Sequence, residues 1–517
     1  MKIRIFFIIQ ATICMTLTSV LSSGQNPTIT IENGVIEGNQ VEDISIFKGI
    51  PFAAPPVGDL RWKAPQPVQN WEGILDCTEF GPSAIQPIQR PFMIWSQEFL
   101  IHSDLMSEDC LYLNVWSGAT SSEEKRPVIV FIHGGGFNSG GSACPVYYGL
   151  EMAKKGVVYV SINYRVGVFG FLSHPDLTAE AGTSGNYALL DMIAALQWVN
   201  TNIGSFGGDP GNVSIAGSSA GAFAVNYLEV IPQAEDLFHK AIAHSGASFW
   251  SNPRRPFQTL QMAEKEGVKF ASALNTQSLE ELREKSSDEI HNAKGGTRSP
   301  IIDGIIVKED VMSVFKKGNQ HDVPLLTGWT MEEIAFNSNN DVATYEKRAN
   351  KRFGDMAETY LEMYPATTDE EVKIASIYAS RDENFGFQNY TWLKMQAETG
   401  KSPSFWYFFT RELPAYSTET EYGAFHTGDI PYTFNNLKLV DRPWEKTDWE
   451  LSDAMSSYWA NFAKTGNPNG EGLVNWGAYN SNDSKAMILG DKIEFKEHPF
   501  KQQLEFWIEY YTMISKP

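Results

Sequence analysis

The sequence predicts an α/β chain built on a mostly parallel central sheet, flanked by helices and carrying helical insertions. Three observations lead there. Pro127–His133 (PVIVFIH) and Val157–Ile162 (VVYVSI) are unbroken β-branched and apolar runs, the pattern of strands buried on both faces. From Asn186 to Thr201 the apolar residues of NYALLDMIAALQWVNT recur at helical spacing. A glycine-rich turn at Phe206–Gly211 then leads into a short strand, Asn212–Ala216, and a second helix-prone stretch opens at Ala220. Strands separated by helices favour a parallel sheet covered on both sides.

The remaining elements follow from composition. The stretch from about Phe257 to Asn350 is more polar and helix-prone, as expected of helices inserted around the sheet. No internal repeat or low-complexity linker divides the chain, so residues 24–517 read as one domain. With 517 residues, of which 42% are hydrophobic and 20% charged, the chain has ample material for a packed core. Its formal charge of −21 argues against a nucleic-acid partner.

The first residues have the parts of a secretory signal. Lys2 and Arg4 precede an apolar stretch, Ile5–Val20, and a small-residue patch, Leu21-Ser22-Ser23-Gly24. The stretch is interrupted by Gln10, Thr12, Thr16 and Thr18 and falls short of the roughly 20 apolar residues a membrane span needs. The expectation is a signal peptide over 1–23, no transmembrane segment in the mature chain, and export to the periplasm or the outside medium. Cys14 would leave with it. Cys77, Cys110 and Cys144 remain, room for one internal disulfide, with Cys77 and Cys110 the candidate pair. No Cys or His set has zinc spacing, and no phosphate-binding glycine loop ends in Lys, so neither metal nor cofactor is expected.

Gly217-Ser218-Ser219-Ala220-Gly221 fits G-x-S-x-G. The motif matters because of its context: an apolar strand ends at Ala216, and small, helix-tolerant residues follow. A tight strand-to-helix elbow would present the Ser219 hydroxyl at the carboxyl edge of the sheet, and glycines on either side avoid side-chain clashes. Ser219 is thus the candidate nucleophile. His133-Gly134-Gly135-Gly136-Phe137 directly follows another strand, and three glycines in a row let main-chain N–H groups approach a bound molecule. Gly135, Gly136 and Ala220 are the candidate donors to an oxyanion.

Together these motifs resemble the type-B carboxylesterase family, the relatives of cholinesterases and of bacterial and fungal esterases. Phe206–Ser219 is similar to its nucleophile signature and Glu108–Val115 (EDCLYLNV) to its second signature; Asn163–Gly167 and Gly185–Tyr187 also match. The likeness runs from about Val35 to Phe506. It implies the α/β-hydrolase fold and hydrolysis of small carboxylic esters through an acyl-enzyme, without cofactor. It also implies the chain order nucleophile, acid, histidine. His426, in Tyr422–His426 ahead of Asp429–Tyr432, matches the family's histidine segment; His498, in a charged Lys-Glu-His-Pro setting, reads as a surface residue. The family spacing favours Glu333 as the acid, with Glu332 the substitute, because Ile334 stands where the family usually has glycine. Ser245 matches a serine that supports the acid.

Other positions depart from the family or refine its implications. Ser218 and Met192 stand where relatives carry Glu or Gln, and Ala84 stands where Cys110 commonly has its partner, so Cys77 would have to serve instead. Arg61 with Glu108, and Arg165 with Asp191, match structural ion pairs. Leu100 occupies the position of the choline-binding tryptophan, which argues against choline esters. Phe92, Trp95, Phe99, Phe249 and Trp250 are expected to line the gorge and to admit apolar or aromatic esters. A non-catalytic binding or adhesion protein of the same fold is the alternative from another class, and amide or thioester cleavage the alternative within the enzyme class. Oligomeric state and natural substrate are left open.

Overall fold

The computed structural model describes residues 26–91, 95–101, 104–253, 255–333, 340–415 and 422–515. The expected signal segment, Phe92 and Ile334 lie outside them. The centre is an 11-stranded sheet. In chain order its strands are β1 (Asn39–Val41), β2 (Ile44–Pro51), β3 (Tyr112–Ser117), β4 (Arg126–Ile132), β5 (Val158–Ile162), β6 (Gly208–Ser218), β7 (Lys240–His244), β8 (Leu325–Thr330), β9 (Ser404–Phe409), β10 (Lys485–Leu489) and β11 (Ile493–Glu497). Across the sheet they run β11-β10-β9-β8-β7-β6-β4-β5-β3-β2-β1. From β5 through β10 every neighbouring pair is parallel. Antiparallel strands close both edges.

The apolar runs of the sequence become these strands because successive side chains leave a strand on opposite faces. On β4, Val128, Val130 and Ile132 enter one apolar cluster, while Ile129 and Phe131 enter the other. Helix α1 (Tyr187–Asn202) covers the first face with Leu189, Leu196 and Val199. A long C-terminal helix, Lys446–Thr465, covers the second with Met455, Trp459 and Phe462. Both faces of the sheet are buried, and the few polar residues within its central strands, such as Ser161, Ser214 and Thr327, are buried with them.

The region 257–350 departs in one respect from a purely helical insertion. It holds helices at Leu260–Ala273, Leu279–Glu284, Ser287–Asn292, Val311–Lys316 and Val342–Phe353, but β8 runs through it as a fully buried strand between β7 and β9. The polar helices around LLTGWT masked a run short enough to be overlooked. Arg61 grips Glu108 through Nε at 2.7 Å and Nη2, and Arg165 grips Asp191 through Nε at 2.8 Å and Nη2 at 2.6 Å. Both pairs belong to the scaffold. Cys77, Cys110 and Cys144 are buried free thiols, so the Cys77–Cys110 bridge is absent. Among the described residues no helix is long and apolar enough to cross a membrane.

Candidate active site

The elbow after β6 is built from two close backbone approaches. A Cβ on Gly217 would lie 2.2 Å from the Gly221 carbonyl oxygen, and one on Gly221 would lie 2.0 Å from the Ile132 carbonyl oxygen. Only hydrogen fits at either position. Between them Ser219 has φ 55° and ψ −120°, a region that costs a side-chain-bearing residue about 1–3 kcal/mol. The neighbouring strand holds it there: Ser219 N–H donates to the His244 carbonyl at 2.8 Å. Helix α2 (Ala220–Leu228) begins on the next residue, so its positive end faces the hydroxyl.

The glycine run lies against this elbow. A Cβ on Gly134 would meet the Ser218 carbonyl oxygen at 2.8 Å and Ser219 Cβ at 3.1 Å. Gly135 and Gly136 have φ of 112° and 62°. The Gly135 carbonyl points away into the loop, where it accepts from the N–H groups of Asn138 and Ser139 at 3.1 and 3.0 Å. Among the described residues no protein acceptor takes the N–H of Gly135, Gly136 or Ala220. Donors that are fixed in place and unspent can bind developing negative charge without reorganising. His133 braces the run from below: its Nδ1 lies 2.8 Å from the Gly134 carbonyl, and its ring stacks on Tyr164 at 4.2 Å. Burial pushes its imidazole down to about 4, so it adds no charge near neutral pH.

His426 and Glu333 meet across the end of the sheet. The Glu333 carboxylate contacts His426 Nδ1, and His426 N–H donates to the Glu333 carbonyl at 2.7 Å. The other carboxylate oxygen accepts from Thr330 N–H at 2.9 Å. Both side chains are buried. His426 Nε2 has no hydrogen-bond partner among the described residues, and His426 and Ser219 line the same cavity. An imidazole bound at Nδ1 by a carboxylate carries its proton there, leaving Nε2 as the basic atom.

Glu332 is neither the partner of His426 nor a solvated helix-start residue. Its carboxylate accepts from Ala424 N–H at 2.7 Å, two positions before the histidine, and burial pushes it up to about 7. No hydrogen bond joins Ser245 to the Glu333 carboxylate among the described residues. The Ser245 N–H donates to the Gly328 carbonyl at 2.8 Å, while its buried Oγ has no partner among the described residues. His498 is buried rather than on the surface, stacked on Trp406 at 4.4 Å beside Phe408 and Trp329. Its charged sequence neighbours concealed an aromatic box assembled from distant strands.

Two cavity lobes of about 380 and 310 Å³ border Ser219. Gly136, Ser219 and Arg255 line both. The first continues past Ala220, Phe223 and Tyr227 to Phe257, and the second past Trp95, Phe99, Leu100 and Phe385 to His426. Trp95 and Phe99 therefore line the site as expected. Phe249 instead packs in the core against Phe315 and Trp392, and Trp250 packs beside it against Tyr511. Their segment turns inward, and Phe257, a few residues on, reaches the cavity.

The sequence reading also missed a buried cluster beneath the site. His244 Nδ1 lies 2.7 Å from Asp429 Oδ2, Tyr407 Oη donates to the same oxygen at 2.9 Å, and Trp459 Nε1–H donates to His244 Nε2 at 3.0 Å. Since Nε2 accepts, the His244 proton sits on Nδ1. His244 immediately precedes Ser245, and Asp429 follows His426 by three residues; that adjacency to two flagged positions was the available signal. Among the described residues no cluster suits a metal ion.

Residues 25–507 match the Carboxylesterase family. The chain is 35% identical over 471 residues to a fumonisin B1 esterase of Sphingopyxis macrogoltabida, covering 86% of this chain and 83% of that one. It is 33% identical over 498 residues to the para-nitrobenzyl esterase of Bacillus subtilis (strain 168), covering 91% and 96%. Among solved structures, a PNB esterase superposes with a TM-score of 0.77 at 31% identity over 93% of this chain and all of that one, and a thermophilic PNB esterase with a TM-score of 0.79 at the same identity and coverage.

Proposed function

The chain belongs to the Carboxylesterase family and is a carboxylic ester hydrolase, and from that premise we propose that it works through an acyl-enzyme on Ser219, with His426 as general base and Glu333 as its orienting acid. The observation that carries this reading is the Nε2 atom of His426. It is buried and unspent, on a side chain that lines the same cavity as Ser219, with Nδ1 tied to a carboxylate.

Ser219 Oγ attacks the ester carbonyl as His426 Nε2 takes its proton. The carbonyl oxygen, now an anion, is bound by the N–H groups of Gly135, Gly136 and Ala220. As the tetrahedral carbon collapses, His426 returns the proton to the departing alkoxide and the alcohol leaves. Water then attacks the acyl-serine, His426 takes its proton, and collapse frees the acid and Ser219. No hydrogen bond joins Ser219 Oγ to His426 Nε2 in the resting arrangement, and such contacts commonly tighten only when substrate is bound.

The first substrates to test are p-nitrobenzyl esters, for which the Bacillus relative is named. Ser219→Ala should abolish turnover while leaving the fold intact, and the wild type alone should be labelled by a fluorophosphonate. Labelling of the alanine variant, or its undiminished turnover, would falsify the assignment. We also propose export through residues 1–23, on the strength of Lys2, Arg4 and the apolar stretch that follows. N-terminal sequencing of protein recovered outside the cytoplasm should begin near residue 23 or 24; an intact Met1 there rules out cleavage.

A further inference from the structure

Helix α2 forms a wall of the first cavity lobe from the nucleophile onward. Ser219, Phe223 and Tyr227 are spaced four residues apart and all line that lobe, as residues stacked on one helix face do. Tyr227 Oη and Ser248 Oγ are hydrogen-bonded at 3.1 Å, and Gln258 lines the same lobe with a buried Oε1 that has no partner among the described residues. We propose that Tyr227, Ser248 and Gln258 bind a hydroxyl on the acyl chain of the substrate, so that the preferred esters are those of hydroxyalkanoic acids. This rests on the Ser219 reading and specifies the substrate class of that site.

The donors and acceptors in the lobe call for a hydroxyl. Each hydroxyl of the Tyr227–Ser248 pair has one proton and two lone pairs. Their mutual bond uses one proton, so one O–H and several lone pairs remain for a ligand. Gln258 Oε1 can only accept, and a buried acceptor without a donor carries a desolvation cost that a donor removes. A methyl group satisfies none of these atoms, and a carboxylate cannot donate to Gln258; a hydroxyl both donates and accepts. Ser248 is fixed from behind, its N–H donating to Asn226 Oδ1 at 2.8 Å. No described Asp or Glu lines the lobe. Arg255, which does, is already engaged by the Asn384 carbonyl at 2.9 Å and by the Phe223 and Phe385 rings.

The chemistry assigns the lobes. His426 returns its proton to the alcohol, so the alcohol belongs in the lobe His426 lines, among Trp95, Phe99 and Phe385. The acyl carbonyl is held at the N–H of Ala220, the first residue of α2, and the acyl chain runs from there along the helix, past Phe223. Tyr227 follows Ala220 by about 10 Å along the axis, at roughly 1.5 Å per residue. Helical side chains lean toward the N-terminus, which brings the Tyr227 hydroxyl back toward Ser219. A chain of several carbons with a polar tip fits that span, and about 380 Å³ accommodates it.

The test compares benzyl 6-hydroxyhexanoate with benzyl heptanoate, which differ only in a hydroxyl against a methyl at the chain end. Wild-type kcat/KM should be higher for the hydroxy ester, the reverse of what an apolar pocket gives. In Tyr227→Phe and in Gln258→Leu the ratio of the two kcat/KM values should fall by about 5- to 30-fold, mainly through KM, as loss of one hydrogen bond to a desolvated group predicts. A wild type that prefers the heptanoate, or variants that keep its ratio, overturn the proposal. So does an equal loss on both esters, which marks side chains that only shape the wall. A preference for 6-hydroxyhexyl benzoate over heptyl benzoate, with none between the two acyl chains, would put the hydroxyl on the alcohol and overturn the acyl assignment. Turnover of p-nitrophenyl acetate, lost in Ser219→Ala, tests the hydrolase reading separately. A wild type inactive on every ester overturns both.

Discussion

Glu333 and His426 are joined twice, once from carboxylate to Nδ1 and once through the main chain, where His426 N–H donates to the Glu333 carbonyl at 2.7 Å. The backbone link does not depend on the acid's charge. Glu333→Gln should therefore keep the histidine in place while removing its preference for the productive tautomer. The expected loss is about 10⁴-fold in kcat with a much smaller change in KM, by analogy with amide replacement in other Ser-His-acid sites. Steady-state kinetics of the folded variant test this; a loss confined to KM would show that the carboxylate does not orient the base.

An elbow glycine and a cradle glycine should fail differently. Gly221→Ala places a methyl 2.0 Å from the Ile132 carbonyl oxygen, so the variant should be recovered poorly and melt well below the wild type. At Gly136 a Cβ meets nothing within 4 Å but the φ is 62°, so Gly136→Ala should fold at a cost of about 1–2 kcal/mol and lose activity through the disturbed donor. Thermal melts beside kinetics distinguish the two, and equal stability loss would contradict the geometry.

Glu332 should make stability depend on pH around neutrality. It titrates near 7 when folded, raised by burial from an ordinary 4.5. Between those values the folded chain keeps a proton that the unfolded chain has released. Its stabilising effect is complete below 4.5 and is lost as the pH rises through 7. Glu332→Gln removes this dependence, so the melting temperature of the variant relative to the wild type should rise between pH 5 and pH 8. Parallel pH profiles for the two proteins would refute it.

Trp459 supplies the proton that His244 Nε2 accepts. Trp459→Phe leaves that buried nitrogen without a donor, a loss of about 1–3 kcal/mol beyond the effect of the smaller ring. Because the His244 carbonyl holds Ser219 N–H, the variant should also show a lower kcat. Denaturant unfolding against activity measures both; a fully stable variant would mean that the cluster relaxes around the gap.

The three described cysteines are buried and unbridged, and burial pushes the thiols of Cys77 and Cys144 up to about 12. The folded protein should resist a thiol reagent until denatured, and reducing agent should leave its melting temperature unchanged. A reducible shift would restore the Cys77–Cys110 pair.

The parts of the site legible in the sequence were those fixed by backbone necessity. Gly217, Gly221 and Gly134 leave no room for a Cβ, and Gly135 and Gly136 hold positive φ angles, so the pattern betrays the elbow and the cradle. His426 and Glu333 came from resemblance, because nothing local marks two residues 93 positions apart as partners. Arg255, His498 and the His244–Asp429 cluster were not legible. Each depends on side chains brought together by strands or loops far apart in the chain, and no local period records that. Phe249 and Trp250 failed for the converse reason: aromatic character is the same whether a ring faces a cavity or the core.

The pairing of β4 with β6 sets Ile132 opposite Gly217, so the glycine run and the elbow leave the sheet side by side from neighbouring, register-locked strands. Helix α2 gives one lobe Phe223 and Tyr227, but much of the remaining wall comes from elsewhere, from the segments around Trp95, Phe257 and Phe385. Bond-breaking machinery and much of substrate choice are thereby stored in separate parts of the chain. Insertions or exchanges in the connecting segments can reshape what enters without shifting the atoms that react, and a chain of this design can change its diet one loop at a time.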